Sequence, residues 1–375
     1  MINKLYEFYK GKKVLITGHN GFKGSWLTLW LKKMGAKVIG VSLTKKKGEL
    51  YDQLGMRIEK EYVCDIGQSG DSCDIYTIMN FEKPYIVFHL AAQPLVRYSY
   101  DYPIETYQTN VMGTMNVLNA MRLAGVKNGV MITTDKCYRN DDTGRPMKED
   151  DPFGGEDPYS SSKGCCEILI ESMRSSYKEL NFVKSARAGN VVGGGDYALD
   201  RIIPDFFRAF ESGTQLELRN PYSTRPWQHV LEPLYGYLLL GMMNNIGGFG
   251  VNFGPNPTEA HNVGEVIDRL NEAIHNRYGK YVDIVKDKPD ASKKEAMLLQ
   301  LDNSLARRVL DWSPVFSFEE TIDSIARWFY ICEHGLGLDA PHKEELLLDQ
   351  GVNTKQAFYA CMFDIDEFER KLKWK

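Results

Sequence analysis

Short, nearly continuous apolar runs bounded by turn residues recur along the first half of the chain: Val14-Leu15-Ile16, Val38-Ile39-Gly40-Val41, Tyr85-Ile86-Val87-Phe88, Val130-Met131-Ile132-Thr133 and Phe182-Val183-Lys184-Ser185-Ala186. Runs of this length without polar alternation predict strands covered on both faces. Between them apolar residues fall at helical spacing, as in Leu27, Trp30, Leu31 and Met34, or Val111, Met115 and Leu118. Strand and helix in alternation predict an α/β fold with right-handed crossovers, hence a doubly wound parallel sheet whose ligand crevice lies at the carboxyl ends of the strands. After Arg187 the pattern loosens into Gly189, Gly193-Gly194-Gly195, Pro204, Pro221 and Pro226. A smaller second domain over the crevice is expected there.

Composition narrows the class without changing that picture. The 375 residues are 43% hydrophobic and 26% charged, as in ordinary globular chains. A net charge of −4 supplies no field that would draw the protein to nucleic acid or an anionic membrane, so any bound anion must be held locally. Met1 to Tyr9 mixes Lys4 and Glu7 with aromatics and lacks the form of a signal peptide, and no apolar run approaches a membrane span. The seven cysteines include no C-x-x-C pair, which predicts neither a disulfide framework nor a zinc or other metal site and fits a reducing cytoplasm.

The first candidate chemistry follows the first strand. In Thr17-Gly18-His19-Asn20-Gly21-Phe22-Lys23-Gly24, Gly18 would allow a tight turn, Gly21 a close approach of the backbone to a pyrophosphate, and Gly24 the packing of the next helix on the strand. The open N–H groups of that helix would face the phosphates. This makes the fold Rossmann-type and the ligand a nicotinamide dinucleotide. The second strand ends in Val41-Ser42-Leu43-Thr44 with no acidic residue for a ribose 2′-hydroxyl, and Lys45, Lys46 and Lys47 could either pair with a 2′-phosphate or form a solvated loop, so these residues leave NAD and NADP open. Asp65, after Tyr62-Val63-Cys64, could accept a hydrogen bond from an adenine amine, or be a surface loop residue.

Tyr159 and Lys163, four apart, share one face of a helix. A tyrosine is a poor base unless neighbouring positive charge, here the Lys163 ammonium and a nicotinamide ring, favours its phenolate. Thr134, at the end of the fourth run, would complete a site for a substrate alcohol. Asp135 and Lys136 follow directly. Simple alcohol oxidation needs neither, so they read as an acid/base pair for a further step, against the plainer reading of a helix cap or loop ion pair.

These residues resemble the extended short-chain dehydrogenase/reductase family over nearly the whole chain, through the glycine turn, His89-Leu90-Ala91-Ala92, Asn110-Val111-x-Gly113-Thr114 and Tyr159-x-x-x-Lys163. Within that family, Gly18 to Leu27, Thr134-Asp135-Lys136-Cys137-Tyr138 and Arg225-Pro226-Trp227-Gln228-His229-Val230-Leu231-Glu232-Pro233 look like sugar-nucleotide 4,6-dehydratases acting on CDP-glucose. The resemblance implies NAD recycled within each turnover. Tyr159 would deprotonate the 4-hydroxyl, Thr134 orient it and Lys163 hold the phenolate; Lys136 and Asp135 would serve as base at C5 and acid at the 6-hydroxyl, with their division left open. It also implies Gly18, His19, Asn20, Gly21, Phe22, Lys23, Asp65, Ile66, Leu90, Ala91, Ala92, Gln93 and Thr109 as cofactor contacts. Asn190, Arg201, Arg219, Arg225 and His229 would be substrate contacts, the arginines gripping a diphosphate. A homodimer is implied through the helices carrying Tyr159 and Val111 to Met121, and so is a product that feeds O-antigen and lipopolysaccharide sugars. The readings that compete are another nucleotide-sugar dehydratase or epimerase, and a non-catalytic dinucleotide-binding regulator. The expected domains are a dinucleotide-binding domain over 1–187, to which 227–254 returns, a substrate-binding domain from 188–226 and 255–340, and a C-terminal appendage over 341–375 with one amphipathic helix.

Overall fold

Strands β1 (Lys13–Thr17), β2 (Lys37–Ser42), β3 (Lys60–Val63), β4 (Ile86–His89), β5 (Asn128–Ile132) and β6 (Val183–Ala188) lie side by side in the computed structural model, which describes residues 1–68, 74–243, 247–286, 298–335 and 356–374. With Leu216–Leu218 as β7, the later strand β8 (Gly250–Phe253) completes a seven-stranded sheet in the order β8-β6-β5-β4-β1-β2-β3, parallel throughout. The apolar runs are continuous because both faces are covered. Val14 and Ile16 of β1, Ile86 and Phe88 of β4 and Val130 of β5 enter one core, while Leu15, Val87 and Met131 enter the core on the opposite face. β3 escapes that pattern since it is an edge strand with Lys60, Glu61 and Val63 exposed.

Helices α1 (Ile2–Tyr9), α2 (Phe22–Lys33) and Leu231–Met242 pack on the first face. Gly113–Ala124 and Pro158–Ser176, the helix of Tyr159 and Lys163, cover the second through Val117, Leu118, Met121, Ile170 and Met173. Met115 is only partly buried against this core, so the helical stripe sits slightly off the expected Val111, Met115, Leu118 line. A separate core joins Phe206 and Phe207 of Ile202–Ser212, Leu216 and Leu218 of β7, Ile267 and Leu270 of Val263–Tyr278, and Ile325 of Phe318–His334. This second unit roofs the carboxyl ends of β5 and β6.

The C-terminal helix Gln356–Trp374 is not peripheral. Cys361, Ile365 and Phe368 belong to the same core as β1 and α2, the Trp30 indole donates to Glu369 at 2.7 Å, and Lys33 pairs with Asp366 at 2.7 Å. That is why α2 is buried on nearly all sides. Residues 341–355 of the expected appendage lie outside those described. Cys64 is disulfide-bonded, contrary to the expectation that the cysteines form no bridge, whereas Cys137, Cys165, Cys166, Cys332 and Cys361 are free thiols. Among the described residues no helix is long and apolar enough to cross a membrane, and no group of three side chains could hold a metal.

Candidate active site

The glycine turn is built as its spacing requires. Gly18 has φ +74°, and a Cβ there would meet the Ala91 nitrogen at 2.7 Å; one on Gly24 would meet the Gly18 oxygen at 1.9 Å. Gly21 differs: it is exposed, a Cβ would come no nearer than 3.5 Å to the Gly18 oxygen, and it caps α2 without a side-chain hydrogen bond. The protein's own packing demands the outer two glycines, and the middle one leaves the first N–H groups of α2 open. Such a bare helix start suits an anion, so the residues present fit the phosphates of a dinucleotide.

Its neighbours divide between structure and site. His19 is buried with Nδ1 2.8 Å from the Ser42 hydroxyl and its ring edge-on to Tyr51, and burial pulls its pKa down. Its side chain straps the turn to β2. Asn20 donates to the Leu43 carbonyl at 2.7 Å. Phe22 and Lys23 reach the main cavity. Asp65 accepts from the Gly67 N–H at 2.9 Å, Ile66 packs against Gly113, and Gln93 is fixed by Asn110 and Thr106 at 2.8 and 2.9 Å. Leu90, Ala91, Ala92 and Thr109 are half-buried along the ends of β4 and the following helices. Lys45 and Lys46 are tied to Asp52 and Glu49 at 3.4 and 3.6 Å, which makes that lysine run a surface loop.

A cavity of about 320 Å³ opens where the two units meet, a size suited to a small-molecule ligand. Thr134, Asp135, Lys136 and Tyr159 line it together with Lys23, Asn190, Arg201, Arg219 and Arg225. Thr134 caps a single 3-10 turn, Asp135–Cys137, and its hydroxyl donates to Asp135 Oδ1 at 2.8 Å. Asp135 is 2% exposed and its Oδ2 has no hydrogen-bond partner among the described residues; burial raises its pKa, and Lys136 and Thr134 only partly oppose this. A carboxyl in that state holds a proton well for an acid. Burial also raises the Tyr159 phenol far above its ordinary value, with the Thr134 hydroxyl pulling the other way. Lys163 Nζ is 3.5 Å from the Ile132 carbonyl, and burial lowers its own pKa.

On the opposite wall Arg201 pairs with Asp196 at 2.9 Å and Arg219 with Asp200 at 3.1 Å, while Arg225 is buried and donates to the Thr224 carbonyl. His229 is outside this cavity. It is fully buried, accepting from the Leu231 N–H at 3.3 Å with Nε2 3.2 Å from the Ser324 hydroxyl, and burial drops its pKa to about 3. It is a core histidine, which corrects the expected substrate contact.

Lys23 carries a property that spacing could not reveal. Its ammonium makes no hydrogen bond or ion pair among the described residues and stands 6.0 Å over the Tyr237 ring. Burial, reinforced by Lys163 and Arg201, pulls its pKa down to about 7. The folded protein thus binds fewer protons here than the unfolded chain between pH 7 and the ordinary lysine value, and the destabilisation is full below pH 7 and fades as pH rises. Lys23→Met should stabilise the unliganded protein at pH 7, on the order of 2 kcal/mol after allowing for partial solvation, with the gain gone near pH 10. Thermal melts of both proteins across that range check it.

The sheet, the glycine turn and the paired Tyr159 and Lys163 beside Thr134 define a Rossmann-type short-chain dehydrogenase/reductase with an extra acid and amine in the cavity. Residues 15–325 match the GDP-mannose 4,6 dehydratase family, and the chain belongs to that family. It is 43% identical over 340 residues to CDP-glucose 4,6-dehydratase of Salmonella typhimurium, covering 88% of this chain and 92% of that protein. Among solved structures, an epimerase of Methanothermobacter thermautotrophicus superposes with a TM-score of 0.76 at 27% identity, over 88% of this chain and 95% of the other. dTDP-glucose 4,6-dehydratase of Bacillus anthracis in complex with NAD shares the fold, with a TM-score of 0.71 at 20% identity over 85% and 96% of the two chains.

Proposed function

We propose that this protein is an NAD-dependent lyase converting CDP-glucose to CDP-4-keto-6-deoxyglucose and water. The carrying observation is the buried Asp135 with its unpartnered Oδ2 beside Lys136, in the same cavity as Thr134 and Tyr159. An epimerase or simple dehydrogenase needs no such pair. The likeness to the Salmonella enzyme supports CDP-glucose as the substrate.

NAD held at the glycine turn would supply a reversible hydride acceptor, taking hydride from C4 and giving it back at C6. Tyr159 removes the 4-hydroxyl proton, with Thr134 orienting that oxygen and Lys163 supporting the phenolate. The resulting ketone acidifies the proton on C5. Lys136 takes that proton while Asp135 protonates the departing 6-hydroxyl, which leaves as water, and a proton returns to C5 when C6 is reduced. The atoms balance with no net oxidant. Arg201, Arg219 and Arg225 hold the diphosphate, Asn190 lies beside it, and the backbone of Gly18 to Lys23, with Asp65, Ile66, Leu90 to Gln93 and Thr109, holds the dinucleotide. Incubating the protein with NAD and CDP-, dTDP- or GDP-hexoses tests this: a 4-keto-6-deoxy product from CDP-glucose is expected, and no keto sugar from any of them would overturn it.

The same reading includes a cytoplasmic homodimer serving O-antigen and lipopolysaccharide sugar synthesis. Five of the six described cysteines are free thiols, which supports a reducing compartment, although Cys64 is bridged. Leu123 and Ile168 are exposed on the helices Gly113–Ala124 and Pro158–Ser176, with Met112 just before the first of them exposed and Ile104 84% exposed, an apolar face that a second copy would cover. Ile168→Glu should give a monomer by light scattering where the parent is a dimer.

A further inference from the structure

We infer that Glu217 reads the nucleobase of the substrate, accepting a hydrogen bond from the exocyclic amine of cytosine and so setting the preference for a cytidine diphosphate sugar. This rests on the sugar-nucleotide reading above and adds to it the residue that chooses the base.

Five carboxylates line the cavity: Asp135, Asp196, Asp200, Asp205 and Glu217. Four have partners. Asp135 is bonded to Thr134 at 2.8 Å, Asp196 to Arg201 at 2.9 Å, Asp200 to Arg219 at 3.1 Å, and Asp205 to Arg208. The side chain of Glu217 accepts no hydrogen bond and joins no ion pair among the described residues. Its orientation is set by the strand: Leu216 and Leu218 of β7 point into the core of the second unit, so the pleat turns Glu217 to the other side, where it is exposed to the cavity.

An unneutralised carboxylate is a strange neighbour for a ligand carrying two phosphates. It repels the diphosphate unless it stands beside a neutral part of the ligand that offers a donor. The arginines of the cavity account for the phosphates, and the sugar hydroxyls belong with Thr134, Asp135 and Tyr159 on the first unit. Glu217 belongs to the wall of the second unit, with Arg219, Trp227 and Val263. Trp227, its indole anchored to the His261 carbonyl at 3.0 Å, and Val263 give that wall the apolar surface a planar base needs. The nucleoside is the remaining neutral part. Cytosine presents an N4 amine to a carboxylate, where uracil and thymine present a carbonyl oxygen that a carboxylate repels.

Pairings of this type discriminate by about 1 to 3 kcal/mol, about 5- to 150-fold in relative kcat/KM. The test compares the native protein with Glu217→Gln on CDP-, UDP- and dTDP-glucose, since an amide can donate to a carbonyl as well as accept from an amine. The native protein should favour CDP-glucose, and the variant should lose at least about fivefold of that preference, carried by KM. Calorimetry of CDP against UDP should show the same loss without turnover. A native protein inactive on every nucleotide sugar would overturn the underlying reading. A CDP-selective native protein whose variant keeps both ratios would overturn the assignment of Glu217 alone.

Discussion

Lys136→Ala lowers turnover of CDP-glucose by about a thousandfold, within the range that general acid–base groups contribute, while reduced cofactor accumulates on the enzyme. The expectation comes from how the reaction divides between residues. In the proposed mechanism oxidation at C4 calls only on Thr134, Tyr159 and Lys163, so it should proceed in the variant; removal of the C5 proton calls on Lys136, so the cycle should halt with the cofactor reduced. The turn that carries Lys136 is fixed on both sides and should survive the change. Thr134 caps it, and Tyr138 beyond it donates to Asn252 at 2.7 Å and receives Arg187 at 2.6 Å, with Arg187 in turn paired to Glu167 at 2.9 Å. Stopped-flow absorbance of the reduced cofactor reads the outcome directly. Normal turnover would remove Lys136 from the mechanism.

Tyr159→Phe fails at the other end of the cycle. We expect a loss of about a thousandfold or more with no reduced cofactor formed, because no group then accepts the 4-hydroxyl proton. Burial holds the phenol above its ordinary range, so the competent phenolate is scarce at neutral pH and grows as pH rises. The single-turnover oxidation rate of the native protein should therefore climb across the alkaline range, and in Lys136→Ala the same climb should persist. A pH-independent oxidation rate would argue against Tyr159 as the base.

What could be read along the chain and what could not follows from where the determining contacts come from. The apolar runs of β1, β4 and β5 are legible because successive side chains such as Val14 and Leu15 enter opposite cores. β3 was hidden by its edge position. The C-terminal helix looked like an appendage because Asp364, Asp366 and Glu369 read as solvated, yet each meets a partner from far away in Arg327, Lys33 or Trp30. Local spacing placed Thr134, Asp135, Lys136 and Tyr159 in one cavity. It could not place His229, whose neighbours Ser324 and Asp364 come from other helices, nor foresee that Lys163 Nζ turns to the Ile132 carbonyl or that burial beside two other cations lowers the Lys23 pKa. The glycines of the turn were legible in the sequence; the structure adds that Gly18 and Gly24 are demanded by the protein's own packing whereas Gly21 is left with open space.

The account stands or falls on a cofactor that lends a hydride and takes it back within one sugar. CDP-glucose labelled with deuterium at C4, turned over with unlabelled NAD and followed by NMR, tests this most directly. The label should appear at C6 of the 4-keto-6-deoxy product without dilution and with no net reduced cofactor. Label lost to solvent, or retained at C4 of an epimerised sugar, would contradict it.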